Sequence, residues 1–254
     1  MTTPRLVAFD LDDTLAPSKA AISDRIGELL VALAARVEVA IISGGQLQQF
    51  RTQVVERLPE ADAEALSRFH LMPTCGTQYY RLGADGIRTV YAHSLTDDEK
   101  ERALTAVEEE ARRLGLWESE TWGPILEDRG SQITFSALGQ AAPVAEKMAW
   151  DPTGAKKNAL RDAVAARIPD LEVRSGGSTS VDITRQGIDK AYGMRQLAEM
   201  TGIALGDMLF VGDRLDEHGN DYPVLAMGVA CQAVEGWEDT AAYLDVLLPT
   251  LPVR

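Results

Sequence analysis

The chain has 254 residues, a formal charge of −14 and a hydrophobic content of 45%. This is the composition of a globular protein with one domain or with a domain and an insert. The negative charge argues against nucleic acid and anionic membrane surfaces as partners, because both select basic proteins. The two cysteines form no disulfide framework and no metal-ligand pair, and no apolar run reaches the length of a membrane span, so we expect a cytoplasmic protein.

The first predicted strand, Leu6 to Phe9, leads directly into Asp10, Asp12 and Thr14. Alternate side chains of an extended segment face the same way, so Asp10 and Asp12 are expected to converge. Two neighbouring carboxylates repel each other unless a cation lies between them. A Mg²⁺ ion with a phosphate completing its ligand shell satisfies that requirement. The alternative is an Asp-rich turn without chemistry, since Asp also favours turns and helix caps.

A second predicted strand, Val37 to Ile42, ends at Ser43-Gly44-Gly45 and is followed by helical sequence. Glycines allow a ligand to approach the backbone, and the amides at a helix amino terminus favour anions. The order of strand, Ser-Gly-Gly and helix therefore predicts a phosphate-binding turn. An ordinary β–α connection would have the same sequence pattern.

The pattern changes after a hairpin signal at Asp85-Gly86. Two helices, Thr96 to Leu114 and Ala155 to Arg167, then alternate with strand-like segments in an α+β order. A βα pattern resumes near Gly187. We therefore predict an α/β protein with a Rossmann-like core and a parallel sheet, formed by residues 1–83 and 187–254. An inserted α+β domain would comprise residues 84–186.

In the second half of the core, Lys190 opens a predicted helix and Asp213 ends a predicted strand. The carboxyl ends of parallel strands meet at one sheet edge, where open α/β sheets bind ligands. Asp10 can attack phosphorus as a nucleophile and Asp12 can act as general acid and base. Lys190, Ser43 and a Mg²⁺ ion would neutralise the phosphoryl oxygens. Each residue alone is more often a surface or loop residue, but their order along the chain favours a common site.

The motifs DLDDT, Ser43, Lys190 and VGD…GND together resemble the four motifs of the haloacid dehalogenase (HAD) superfamily. The position of the insert resembles that of a C2-type cap domain. Within this group the chain is most similar to the phosphomannomutase branch, over nearly its whole length. The segments EDRGSQITFSALGQ and GGSTSVDITRQGIDKAYG carry that narrower resemblance.

The resemblance implies a role for each matching position. Asp10, Asp12 and Lys190 would be catalytic. The expected Mg²⁺ ligands are Asp10, the backbone of Asp12, Asp213 and Asp221, with Asn220 in support and Glu217 as a competitor of Asp221. The expected phosphate-binding residues are Thr14, Ser43 and Gly44. The expected substrate contacts are Lys19, Arg129, Lys147, Ser180 and Asp182.

The chain also departs from the mutase pattern. Gln140, Lys147 and Lys19 stand where the mutases carry arginine, and Asp13 replaces a glycine. Arginine binds phosphate with two parallel hydrogen bonds, whereas lysine offers a point charge. A mutase must hold one phosphate while the other reacts, so a weaker clamp favours simple hydrolysis.

The sequence therefore predicts a Mg²⁺-dependent phosphatase acting on a small phosphorylated sugar, as a monomer or homodimer. The alternative is a phosphomannomutase or other phosphohexomutase, and a third candidate is a non-catalytic sugar-phosphate-binding protein. A nucleotide-binding oxidoreductase is a weaker candidate, because no G-x-G-x-x-G follows the first strand.

Overall fold

A computed structural model of the protein describes residues 3–252. The amino-terminal part forms five strands and three helices: β1 (Leu6–Phe9), α1 (Asp24–Ala34), β2 (Glu38–Ile42), α2 (Leu47–Gln53), α3 (Ala63–Ser67), β3 (Phe69–Met72), β4 (Gln78–Gly83) and β5 (Gly86–Ala92). Every residue of β1 is buried, as its apolar sequence predicts. Helix α1 begins after Ser23, whose hydroxyl accepts a hydrogen bond from the Ile26 N–H.

The middle of the chain forms the elements α4 (Asp97–Arg113), β6 (Leu126–Asp128), β7 (Gln132–Ser136), α5 (Val144–Trp150), α6 (Ala155–Arg167), β8 (Leu171–Ser175) and β9 (Ser180–Arg185). Helix α4 begins with a capping box, in which Thr96 and Glu99 exchange hydrogen bonds between side chain and backbone.

The carboxyl-terminal part forms α7 (Lys190–Thr201), β10 (Met208–Gly212), α8 (Tyr222–Ala226), β11 (Ala230–Ala233) and α9 (Trp237–Leu247). The Asp189 side chain caps the start of α7 by accepting a hydrogen bond from the Tyr192 N–H. Gly202 ends α7 in the left-handed conformation that favours glycine.

The core sheet has seven strands in the order β11-β10-β1-β2-β3-β4-β5. The first five of these strands are parallel to their neighbours, and β4 and β5 are antiparallel. Because β1, β2 and β10 are parallel, the residues that follow them lie at the same edge of the sheet. The predicted α/β class with a parallel core sheet is confirmed.

The middle of the chain contains a second sheet, with four antiparallel strands in the order β6-β7-β9-β8. Its two faces differ in chemistry because apolar and polar residues alternate along the strands. One face, including Ile133, Phe135 and Val181, is part of a hydrophobic cluster with residues of α4 and α6. The other face carries hydroxyl and carboxylate side chains.

The chain divides into two compact units, and the division corrects one predicted boundary. The first unit contains the residues up to Ala92 and from Asp189 on, and the second contains His93–Ile188. The sequence pattern predicts the first boundary at residue 84, which lies inside the turn between β4 and β5. Strand β5 pairs with β4 along its whole length, from Gly83↔Gly86 to Gln78↔Ala92, and so stays in the core sheet. Among residues 3–252, no helix combines the length and the apolar character that crossing a membrane requires.

Candidate active site

Asp10 follows β1 directly and is buried, with 4% of its surface exposed. Its amide donates to the carbonyl oxygen of Val211 in β10, at 3.0 Å, which fixes the backbone at the sheet edge. The Oδ1 atom accepts hydrogen bonds from the Leu11 N–H and from the Lys190 Nζ, both at 2.7 Å. Its other oxygen, Oδ2, has no hydrogen-bond partner within residues 3–252. The nucleophilic role expected of Asp10 stays a prediction.

Lys190 is the first residue of α7 and is 1% exposed. Its ammonium lies 2.7 Å from Asp10 Oδ1 and 2.5 Å from Asp221 Oδ1. Burial alone would lower the pKa of Lys190, but the two carboxylates outweigh burial and hold that pKa above its usual value. The ammonium therefore stays charged between two carboxylates.

Asp213 and Asp221 complete a group of three carboxylates with Asp10. One ligand oxygen from each of the three lies within 4.8 Å of the others. Asp213 accepts a hydrogen bond from the Thr14 hydroxyl at 3.2 Å, and Asp221 Oδ2 accepts one from the Arg214 N–H at 3.0 Å. Burial raises the pKa of Asp10 to about 7 and also raises that of Asp213, and the Asp221 charge adds to both shifts.

The donor set of this group fits Mg²⁺. All three side chains offer oxygen ligands, which magnesium prefers. Three carboxylates face one ammonium, so the group carries an excess of negative charge in a buried place. The pKa values of Asp10 and Asp213 are raised because ionising these carboxyl groups is unfavourable where they are buried beside Asp221. A divalent cation held by Asp10, Asp213 and Asp221 would remove the cost.

Asp12 lies in the loop after β1 but its carboxylate is engaged elsewhere. Its Oδ1 accepts from the Lys19 N–H at 2.6 Å, and its Oδ2 accepts from the Gln49 side-chain amide at 3.0 Å. Its side chain is not one of the three grouped carboxylates, so the expected magnesium contact through its backbone stays a prediction. Lys19 is exposed and sits in the left-handed region, with φ of 61°.

The predicted phosphate-binding turn follows β2. Ser43 is 4% exposed, and its hydroxyl accepts from the Gly45 N–H at 3.1 Å, which spans Gly44. Thr14 is fully buried. Its hydroxyl donates a hydrogen bond to Asp213, and its carbonyl oxygen accepts one from the Thr240 hydroxyl at 2.7 Å. The Thr14 hydroxyl thus orients a carboxylate of the cluster, and its role toward phosphate, like that of Ser43 and Gly44, stays a prediction.

The sequence left two acidic residues of the loop after β10, Asp221 and Glu217, as alternative metal ligands, and their burial distinguishes them. Asp221 is fully buried and contacts Lys190, whereas Glu217 and Asn220 are exposed. Of these two alternatives, Asp221 rather than Glu217 therefore joins Asp10 and Asp213 in the cluster. The supporting role expected of Asn220 stays a prediction.

Four substrate contacts are predicted in the second unit: Arg129, Lys147, Ser180 and Asp182. Each of them forms a hydrogen bond or an ion pair within this unit. Ser180 and Asp182 are two apart in β9 and pair across with Ser136 and Thr134 of β7. The Thr134 hydroxyl donates to Asp182 at 2.7 Å, and burial raises the pKa of Asp182.

A chain of polar contacts continues from Ser180. Its hydroxyl lies 3.1 Å from that of Ser136, which accepts from the Gln140 amide at 2.7 Å, and Lys147 donates to the Gln140 carbonyl oxygen at 2.9 Å. Arg129 forms an ion pair with Glu127 at 2.8 Å, and its charge opposes the rise in the pKa of Asp182. The substrate roles of these residues stay predictions.

Two features of the site were missed in the sequence. Gln49, one of several glutamines in α2, gives no signal that it holds Asp12. The second is the segment Thr74–Gly76, where three successive residues have positive φ values of 48°, 55° and 87°. The Cys75 N–H donates to the Ser43 carbonyl oxygen at 2.9 Å, so this segment supports the turn in which phosphate binding is predicted.

A parallel sheet with an inserted second unit, together with a buried Asp10 beside a buried lysine and two further carboxylates, defines a HAD-type protein. The family model for eukaryotic phosphomannomutase matches residues 26–250. This chain therefore belongs to the eukaryotic phosphomannomutase family, and the resemblance predicted from its motifs is confirmed.

Curated relatives match over most of their length. A phosphomannomutase of Encephalitozoon cuniculi is 25% identical over 232 residues, covering 85% of this chain and 82% of the relative. A phosphomannomutase of Saccharomyces cerevisiae is 24% identical over 253 residues, covering 95% of this chain and 93% of the relative.

Solved structures share the fold. A haloacid dehalogenase-like hydrolase from Bacteroides thetaiotaomicron has a TM-score of 0.64 at 16% identity, with 96% of this chain and 99% of that chain covered. The IMP-nucleotidase of Plasmodium falciparum has a TM-score of 0.72 at 12% identity, covering 97% of this chain and 68% of that chain. At such identities the likeness concerns the fold alone.

Proposed function

We propose that this protein is a phosphohexomutase of the phosphomannomutase type, which moves a phosphoryl group between two positions of a small sugar phosphate. The sequence motifs favoured hydrolysis, with the mutase as the alternative. The match of the family model over residues 26–250 supports the mutase instead. The buried contact of Lys190 with Asp10 is the observation that supports phosphoryl transfer as the chemistry.

In the first step, Asp10 Oδ2 attacks phosphorus, and the ester bond between phosphorus and the sugar oxygen breaks. Asp12 gives the leaving oxygen a proton, and the phosphoryl group remains on Asp10 as an aspartyl-phosphate. Leu11 N–H and Lys190 hold Oδ1 and thereby orient the attacking oxygen. In the second step a sugar hydroxyl attacks this phosphorus, loses its proton to Asp12 and releases Asp10.

Mg²⁺ held by Asp10, Asp213 and Asp221 would neutralise the charge of the phosphoryl oxygens. We expect Mg²⁺ to raise the melting temperature of the wild-type protein, because a ligand that binds only the folded state stabilises it. Asp213→Asn should lose this shift. Asp216→Asn is the matched control, since Asp216 is an exposed carboxylate of the same loop that pairs with Arg214 at 2.9 Å. Equal shifts in both variants would contradict the metal assignment.

Hydrolysis is the second candidate, and Lys147 is the observation that favours it. This residue replaces an arginine of the mutase pattern, and its ammonium already donates to the Gln140 carbonyl oxygen at 2.9 Å. A single ammonium with this prior contact holds a phosphate less firmly than a guanidinium does. Water would then take the place of the sugar hydroxyl in the second step.

Phosphorus NMR distinguishes the two candidates. The protein is incubated with Mg²⁺, mannose 6-phosphate and a catalytic amount of a hexose bisphosphate. The mutase produces mannose 1-phosphate with little inorganic phosphate, whereas accumulation of inorganic phosphate would overturn the proposal in favour of the hydrolase. Asp10→Asn should abolish either product. Absence of any turnover in the wild-type protein, with sugar phosphate still bound, would favour the non-catalytic binding protein.

A further inference from the structure

A cavity lies at the edge of the core sheet where the strands begin, opposite the edge that carries Asp10. It has a volume of about 210 Å³, and its lining includes Arg5, Glu38, His70, Arg81, Met200 and Ile203. Arg5 immediately precedes β1 and Glu38 is the first residue of β2. The cavity is therefore separated from Asp10 and Asp213, which follow the carboxyl ends of β1 and β10.

A buried histidine, His70, forms part of the wall of this cavity. His70 is 1% exposed, and its Nε2 lies 2.9 Å from Glu38 Oε2 while its Nδ1 lies 2.6 Å from the Tyr79 hydroxyl. Burial lowers the pKa of His70, so the ring is neutral. Burial alone would raise the pKa of Glu38, but His70, Arg81 and Arg68 together lower it, so Glu38 is ionised.

These protonation states fix the direction of each hydrogen bond. A carboxylate only accepts, so Nε2 carries the ring proton and donates it to Glu38, and Nδ1 accepts from Tyr79. The Oε1 atom of Glu38 has no hydrogen-bond partner within residues 3–252. The cavity therefore contains a fixed negative group with one unused acceptor.

Two guanidinium groups line the same cavity. Arg81 donates from Nη2 to the Ser67 carbonyl oxygen, and the same nitrogen lies 3.8 Å from Glu38 Oε2. Its Nε and Nη1 donors have no protein partner in the described part of the chain. Arg5 forms a long ion pair with Asp207, with 3.9 Å between Nη1 and Oδ2, and both side chains are exposed. In a protein of charge −14, two arginines beside one cavity are a local site for a carboxylate.

The remaining wall and the volume limit the ligand. Met200 and Ile203 provide an apolar surface. Pockets for drug-sized molecules have volumes of about 300–1,000 Å³, so a cavity of about 210 Å³ suits a metabolite with few heavy atoms. A simple anion would meet the repulsion of Glu38, whereas a ligand that carries a positive group as well would pair with it.

We propose that this cavity binds a free α-amino acid with a small apolar side chain. The carboxylate pairs with Arg5 and Arg81, the ammonium donates to Glu38 Oε1, and the side chain contacts Met200 and Ile203. The proposal is independent of the reaction at Asp10, because the two sites share no residue.

The test uses the 254-residue chain with ¹³C-labelled methionine methyl groups. The chain has seven methionines, and the Met200 signal is assigned with Met200→Leu. The probes are L-alanine, L-valine, L-leucine and L-methionine, each titrated to about 10 mM, since small ligands of this kind bind with micromolar to millimolar Kd. We expect a saturable shift of the Met200 signal with at least one probe. A Met200 signal that does not shift with any of them overturns the proposal.

Two sets of controls test the assigned contacts. Arg81→Gln and Arg5→Gln should each raise Kd about tenfold or more, because each removes a charged hydrogen-bond donor. Arg57 is an exposed arginine of the first unit and does not line the cavity, so Arg57→Gln should leave Kd unchanged. The matching carboxylic acid without the amino group should bind more weakly than the amino acid. Unchanged affinity in both cavity variants, or equal affinity for the deaminated acid, contradicts the proposal.

Discussion

Lys190 provides the positive charge that faces the buried carboxylates of the candidate active site. It is the only ammonium in contact with Asp10 and Asp221 in the described part of the chain, and all three side chains are at most 5% exposed. Removing one partner of a buried ion pair leaves the other charge without compensation, which costs more than the pair itself contributes. The lysine is therefore a structural requirement of the site, in addition to the catalytic role proposed for it.

We expect Lys190→Met to lower the free energy of unfolding by about 3 kcal/mol, as measured by urea denaturation in EDTA. Lys100→Met is the control, since Lys100 pairs with Asp128 at 2.8 Å on the surface and such pairs contribute at most about 1 kcal/mol. Similar losses in the two variants would contradict the burial argument.

His70 makes the stability of the core sheet depend on pH. Burial holds the pKa of His70 below its unfolded value of 6.5, so the unfolded chain binds a proton that the folded chain does not. The contribution of His70 is complete above pH 6.5 and is lost as the pH falls through the folded pKa. Asp10 has the opposite effect, because its raised pKa favours the folded state as the pH falls toward its unfolded value.

The contribution of His70 is therefore measured as a difference. The stability gap between wild type and His70→Gln should narrow between about pH 7.5 and pH 5.5, with a slope of at most about 1.4 kcal/mol per pH unit. Urea denaturation across this range measures the gap. His218→Gln makes the same replacement at an exposed histidine and is the control. A gap that stays constant with pH would contradict the neutral state assigned to His70.

The sequence could predict which residues of the candidate site lie at one edge of the sheet wherever the end of a strand indicated them. Asp10, Ser43 and Asp213 follow short apolar runs that can only be buried strands, and parallel strands bring their ends together. Gln49 was not predictable, because its contact with Asp12 depends on where a helical turn lies relative to a separate loop. No local pattern encodes that relation.

At the scale of elements, the loop after β3 and helix α7 are packed backbone to backbone. A Cβ atom added to Gly76 would lie 2.6 Å from Gly193 Cα, and one added to Gly193 would lie 3.0 Å from the Cys75 carbonyl oxygen. Gly193 is in α7, one turn after Lys190. The contact therefore sets the distance between the helix that carries Lys190 and the segment that supports Ser43.

We expect Gly76→Ala to destabilise the protein by about 2–4 kcal/mol, from left-handed strain and from the clash with α7. Gly228→Ala is the matched control, because Gly228 has φ of 88° against 87° for Gly76 but has no neighbour within 4 Å of the added Cβ. It should cost about 1–2 kcal/mol, from strain alone. Thermal unfolding monitored by circular dichroism measures both, and equal losses would show that the close approach is unimportant.

Elements with strong local signals were predicted almost to the residue. Helix α6 has the predicted bounds, and Gly202 ends α7 as its position suggested. The short helices α3 and α5 were missed, since five and seven residues give too few turns for a recognisable period. The left-handed run at Thr74–Gly76 was missed because only Gly76 signals it, and the other two residues adopt it under tertiary constraint.

At the scale of the whole molecule, each compact unit has a hydrophobic cluster of its own. Residues of β1, β2, α1 and α9 contribute to one cluster of the first unit, and residues of α4, α6, β7 and β9 form that of the second. The insert was predictable from the change of pattern after β4. Its exact start was not, because the sequence of β5 does not reveal which sheet the strand joins.

A unit with a complete core should fold without the rest of the chain. We expect a fragment of residues 93–188 to unfold cooperatively on heating and to give a dispersed NMR spectrum. Ion pairs also join residues within this unit: Arg185 pairs with Glu99 at 2.7 Å, and Arg102 pairs with Asp170 at 2.7 Å. Phe135, 1% exposed in the cluster and 6.2 Å from the Trp117 ring centroid, provides the internal control.

Phe135→Ala should destabilise the fragment by about 3–5 kcal/mol, which is a large part of the stability of so small a unit. Val144→Ala should change it little, because Val144 is 63% exposed. A fragment that shows no cooperative transition, while the 254-residue chain does, would mean that the cluster within residues 93–188 is insufficient and that this unit depends on the first for its fold.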